Sequence, residues 1–125
     1  MKLRALALIA SLAATTPAFA QDACAALAGA SLIAEDGTYL GKVASQYVSE
    51  SIFNEYETYG SKYSAKSIWN EYGKYGGAYS TQSPFNAYSS TPPTIVKGGE
   101  VLAYLTVNRT QRGAVNPYAL KSCEF

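Results

Sequence analysis

The sequence predicts a small α+β domain with a four-stranded antiparallel sheet. Three observations carry this: two hairpin-like segments, at about 31–43 and 94–107; a tyrosine-rich region between them, 44–91, that is written three times; and one cysteine outside each hairpin, Cys24 and Cys123. An isolated hairpin is marginal in water, so the two segments are expected to pair with one another. The apolar face of the resulting sheet must then be covered, and the aromatic region is the only other stretch with enough apolar surface.

Residues 1–20 read as a secretory signal peptide. Lys2 and Arg4 make a positive start, Leu6 to Ala14 an apolar run, and Ala18-Phe19-Ala20 a small-residue cleavage site. The apolar run is too short to span a bilayer. Cleavage would leave Gln21 to Phe125 as a single exported domain, expected to be soluble and either periplasmic or extracellular. The formal net charge of +1 includes Lys2 and Arg4, so the remaining chain stands at 1 − 2 = −1. That balance gives no electrostatic reason to invoke nucleic acid or insertion into an anionic membrane. The Ala-rich leader points to a bacterial chain.

Two cysteines in an exported chain imply a bridge between Cys24 and Cys123. In the chain-entropy picture, closing a loop of this size is worth up to about 4–5 kcal/mol. The C-x-x-C spacing that tunes a redox pair is absent.

The first hairpin is expected from Ser31-Leu32-Ile33-Ala34, the turn pair Asp36-Gly37, and Thr38 to Val43. The second repeats the pattern with Ile95-Val96-Lys97, Gly98-Gly99 and Glu100 to Val107, so turns of equal length are expected. Alternation assigns Val101, Ala103, Leu105 and Val107 to one face, and Tyr39, Gly41 and Val43 to the matching face of the first hairpin. Asn108 to Tyr118 reads as loop, and Ala119 to Cys123 as an added edge strand.

The triplicate comprises ASQYVSESIFNEYETY (44–59), GSKYSAKSIWNEYGKY (60–75) and GGAYSTQSPFNAYSST (76–91). Ser67 ahead of Ile68 to Tyr72, with Gly73 behind, suits a capped helical turn. Pro84 is tolerated at the first helical position. On this reading Ile68 and Tyr72 share one helical face, and short helices alternate with loops. A small β-solenoid with one rung per repeat is the alternative. Glu50 and Lys66 hold the same repeat position and would meet if neighbouring units stack.

The strings Tyr59-Gly60-Ser61-Lys62-Tyr63-Ser64, Ser67 to Gly73 and Asn86 to Ser90 resemble a group of small exported bacterial proteins. These share a YGSxYSxxSIxNxYG repeat, a proline pair and a G-x-x-x-x-Y-L-T-x-N strand. Pro92-Pro93 and Gly99 to Asn108 match that tail; Glu57 in place of glycine and Pro84 in place of isoleucine depart from the repeat. The resemblance spans about Gly37 to Asn108. It implies export and a common fold, and it carries no catalytic residue over.

Catalysis is disfavoured. The chain has no histidine, which removes the commonest general base, the usual hydrolase triads and most zinc sites. Glu55 and Glu71 could form a carboxylate pair, but repeated polar positions are usually solvated surface. No cofactor or metal is expected. The first candidate function is binding: Tyr56, Tyr59, Trp69, Tyr72 and Tyr75 offer stiff amphipathic rings, and Asn54, Asn70 and Asn86 offer amides beside them. Such recurring units suit a repeating polymer, for example a glycan of the cell envelope. Against this, the rings can serve as core and the asparagines can bond turn backbone; for Trp69 the core role is favoured, whereas Tyr59 and Tyr75 are expected to be partly exposed. The second candidate is a structural, self-associating or partner-binding envelope protein that acts on another protein as an inhibitor does.

Overall fold

The computed structural model describes residues 21–125, so the expected leader lies outside the described residues. The chain is α+β. It forms a short helix α1 (Gln21–Leu27), then strands β1 (Ser31–Ile33) and β2 (Tyr39–Lys42). After the tyrosine-rich region come β3 (Thr94–Lys97), β4 (Glu100–Leu105), β5 (Ala114–Val115) and helix α2 (Pro117–Lys121).

The two hairpins pair as the sequence implies, through an antiparallel β1–β3 ladder that sets Leu32 opposite Ile95. The sheet has five strands rather than four, in the order β2-β1-β3-β4-β5, and it is mixed: β5 runs parallel to β4. That fifth strand lies inside the segment expected to be loop. The segment expected to be an edge strand is instead α2, because Asn116 caps it by accepting from the Tyr118 amide and Pro117 opens its first turn.

The turns differ in length. Gly98 and Gly99, with φ of 60° and 81°, make the tight two-residue turn between β3 and β4. The first hairpin has a wider loop in which the Asp36 carboxylate accepts from the Thr38 amide at 3.0 Å. Both hairpins carry an irregularity that breaks the expected alternation. In the first, Gly41 at φ 110° shifts the register, so Leu40, Gly41 and Val43 are all buried while Tyr39 is only half-buried. In the second, the shift beside Val96 leaves Ala103 and Leu105 in the core and turns Val101 to solvent.

One core joins sheet, repeats and helices: Leu32, Leu40, Val43, Ile52, Ile68, Ile95, Leu105 and Leu120 are fully buried. Cys24 in α1 and Cys123 after α2 are bridged, with Cα atoms 5.8 Å apart. No described helix is long and apolar enough to cross a membrane.

Candidate functional site: a face built from three-residue turns

Residues 44–91 contain neither the short helices nor the solenoid strands expected of them; a single bridge, Lys42 to Ser51, is the only ladder contact in the region. The backbone instead turns every third residue. From Val48 to Ser89 the amides of residues 48, 51, 54 and 57 donate to the carbonyl three residues earlier, and the same series recurs at 64–73 and 80–89, at 3.0–3.4 Å. Each sixteen-residue unit is therefore four steps of three and one of four.

The reason is local competition for amides. The side chain that opens a turn is serine or asparagine in most cases, and it accepts from the amide two residues on. Ser45, Ser51, Asn54, Ser61, Ser64, Ser67, Asn70, Ser80, Ser83, Asn86 and Ser89 all do so, at 2.9–3.2 Å. An amide captured this way is withdrawn from an α-helical ladder, so serine resets the chain instead of capping a helix. Ile68 and Tyr72 consequently part company: Ile68 is fully buried and Tyr72 is 93 % exposed.

The four-residue step falls at Gly60 and Gly76. A Cβ on either would collide with a backbone carbonyl, that of Asn54 or Asn70 respectively. Only glycine allows the chain to close on itself there.

The third residue of each turn projects from the spiral, and its fate depends on which turn it occupies. Phe53, Trp69 and Phe85 are half-buried and form a column, with ring centroids 6.3 and 5.5 Å apart. The C-terminal segment closes this column: Phe125 stacks on Phe53 at 5.9 Å and Tyr118 meets Phe85 at 5.3 Å. Trp69 Nε1 donates to the Ile52 carbonyl at 2.6 Å, tying the second unit to the first. Tyr59 lies edge-on to Tyr39 at 5.1 Å, and buried Tyr75 donates its hydroxyl to Asp36 at 2.8 Å.

Two series point the other way. Tyr47, Tyr63 and Tyr79 are 83–95 % exposed, and Tyr56, Tyr72 and Tyr88 are 93–94 % exposed.

Of the expected binding rings, Tyr56 and Tyr72 are therefore on the surface, Trp69 and Tyr59 are partly covered, and Tyr75 is in the core. Trp69, Tyr72 and Tyr75 do not form one exposed face. The three asparagines are committed to the scaffold: each accepts with Oδ1, and each donates through Nδ2 to the carbonyl six residues back, at 3.0–3.2 Å. In the sequence Tyr47, Tyr63 and Tyr79 share one repeat position and Tyr88 shares another with Tyr56 and Tyr72, and nothing in that register marks Tyr47, Tyr63, Tyr79 or Tyr88 as surface. The missed signal is the three-residue sub-period, serine or asparagine followed two places later by an aromatic ring.

Between Tyr56 and Tyr63 lies a groove of about 570 Å³, with Phe53 and Trp69 among its lining residues and Lys62, Lys121 and Glu55 as its charged ones. A smaller one of about 340 Å³ separates Tyr47 from Tyr56 and carries Glu55 and Glu57. The Lys121 ammonium sits 4.8 Å over the Trp69 ring, and that of Lys62 5.5 Å over Tyr63.

Elsewhere the charges fasten the repeats to the first hairpin. Lys74 pairs with Asp36 at 2.9 Å. Lys74, with the Thr38 amide, holds the Asp36 carboxyl well below the usual carboxylate range. Glu50 does not meet Lys66; it accepts from the Tyr39 hydroxyl at 2.5 Å. Burial, helped by that carboxylate, pushes the Tyr39 phenol above its ordinary range.

In comparisons with known proteins, no family model, curated protein or solved structure matches the chain.

Proposed function

We propose that this is an exported, non-catalytic binding domain that engages a glycan of the cell envelope through its tyrosine-lined face. The observation that carries the reading is the pair of tyrosine series at sixteen-residue intervals, each ring at least 83 % exposed. Tyrosine presents a stiff apolar ring with a polar edge at little entropic cost, which suits the mixed faces of a sugar. A rigid array matches a repeating ligand better than a single pocket does, because each ring is fixed before binding. Export is supported by the leader-like residues 1–20 and by the Cys24–Cys123 bridge. The resemblance to small exported bacterial proteins with the same repeat agrees with this. The absence of histidine from the chain supports a non-catalytic role.

The asparagines drop out of the ligand-reading role, since their amides hold turns. The rings assigned to contact are Tyr56, Tyr63 and Tyr72, with Trp69 beneath. A second reading, docking of an envelope protein, draws on Val101 and Leu102, which are 52 % and 41 % exposed side by side on β4.

The test is co-sedimentation of the oxidised 21–125 domain with insoluble envelope polysaccharide, beside a Tyr56→Ala/Tyr63→Ala double variant. The wild type should pellet and the variant should stay in solution. Equal pelleting of both, or none with any polysaccharide, removes the glycan reading.

A further inference from the structure

We infer that the groove between Tyr56 and Tyr63 selects an acidic sugar, a pyranose bearing a carboxylate, over a neutral one. This rests on the glycan reading and sharpens it to a ligand class. Its volume, about 570 Å³, falls within the range of small-ligand sites.

Two features of the walls point to an anion with an apolar face. Tyr56 and Tyr63 expose almost their whole rings, giving flat apolar surface on either side. Between them, Lys62 and Lys121 are the cations and Glu55 the one carboxylate. Among the described residues the one ion pair is Lys74 with Asp36, elsewhere in the fold, so neither groove lysine has a carboxylate partner within ion-pair distance. Both ammonium groups instead rest over aromatic rings, Lys62 over Tyr63 and Lys121 over Trp69. A lysine held against a ring has already lost part of its side-chain freedom and keeps its donors for an incoming anion. The neighbouring groove between Tyr47 and Tyr56 has the opposite character, with Glu55 and Glu57 and no lysine. An acidic sugar is thus directed to one groove and turned away from the other.

The probes are trigalacturonate and its carboxyl-reduced neutral counterpart, which differ only in charge and its hydrogen bonding. Trp69 fluorescence supplies the readout, because Trp69 is the only tryptophan and lines the groove. Trigalacturonate should bind at least tenfold more tightly than the reduced form and weaken on raising salt from low to physiological strength. Lys121→Gln and Lys62→Gln should each lower that affinity several-fold and by more than they lower affinity for the neutral form, and Lys97→Gln, an exposed lysine on β3 outside both grooves, should change neither. Equal affinity for the two probes overturns the charge selection while leaving a neutral-glycan site standing. Absence of binding to both overturns this inference. The co-sedimentation assay with whole envelope polysaccharide then decides separately whether the broader glycan reading survives. A loss in Lys97→Gln as large as that in Lys121→Gln overturns the assignment to this groove.

Discussion

The sheet and the turn-built region answer the same requirement in different ways. In the sheet, backbone groups pair with backbone groups of other strands, and irregularities are absorbed at Gly41 and beside Val96. In residues 44–91 the partners are largely local: a carbonyl three residues back, and a serine or asparagine side chain two residues back. Apart from the turns that cross each unit boundary at Gly60–Ser61 and Gly76–Gly77, no backbone bond joins neighbouring repeats among the described residues, so the units are packed together by side chains, namely the Phe53–Trp69–Phe85 column and the Trp69 to Ile52 bond. A ladder hides alternate residues. A chain of turns instead brings a side chain out of the backbone at every third residue, some of them onto the core and two tyrosine series into solvent, and this is how so many tyrosines stay exposed on an ordered backbone.

Trp69→Ala should break the comparison most sharply. It removes the middle of the column and leaves the Ile52 carbonyl unpaired, at a cost of about 3–5 kcal/mol. Chemical denaturation should show it, with Leu32→Ala in the sheet costing about 2–5 kcal/mol as the reference. Next comes Gly76→Ala, whose new Cβ meets the Asn70 carbonyl; about 1–3 kcal/mol is expected. The same change at Gly98 meets no neighbour and carries only the strain of a positive φ, so thermal unfolding should separate the two causes. Asn70→Ala withdraws the acceptor for the Tyr72 amide and the donor to Ser64, and should cost about 1–2 kcal/mol.

The docking of the repeats on the first hairpin should respond to acid. The Asp36 carboxyl is depressed in the folded chain, so its contribution is complete above the ordinary carboxylate value near about 4. It is lost as pH falls below that value towards the folded one. Melting temperature should hold level above that point and decline below it, and Asp36→Asn should flatten the decline. A variant that keeps the full acid slope would show that other carboxylates set it. The smallest effect belongs to Tyr79→Ser: a ring 95 % exposed should shift stability by no more than about 0.5 kcal/mol.

Several parts of this fold were legible in the residues. The Asp36-Gly37 and Gly98-Gly99 turns announced two hairpins, and two cysteines without a C-x-x-C spacing announced the bridge. The aromatic positions also aligned without ambiguity. The local structure of the repeats is not legible in the residues, because serine before an apolar run serves equally as a helix cap and as the start of a three-residue turn. Both use the same oxygen and the same kind of amide acceptance; they differ in what the next carbonyl does.

By itself, then, the sequence determined the units: where the two hairpins reverse, which positions are equivalent, and that Ser51, Ser67 and Ser83 play one part three times. Only the tertiary structure decided which of the tyrosines are buried. Tyr72 and Tyr75 are three residues apart and chemically identical, yet one is in solvent and the other bonds to Asp36. Burial depends on what a side chain finds across from it, and for Tyr75 that neighbour is a hairpin turn 39 residues away in the chain.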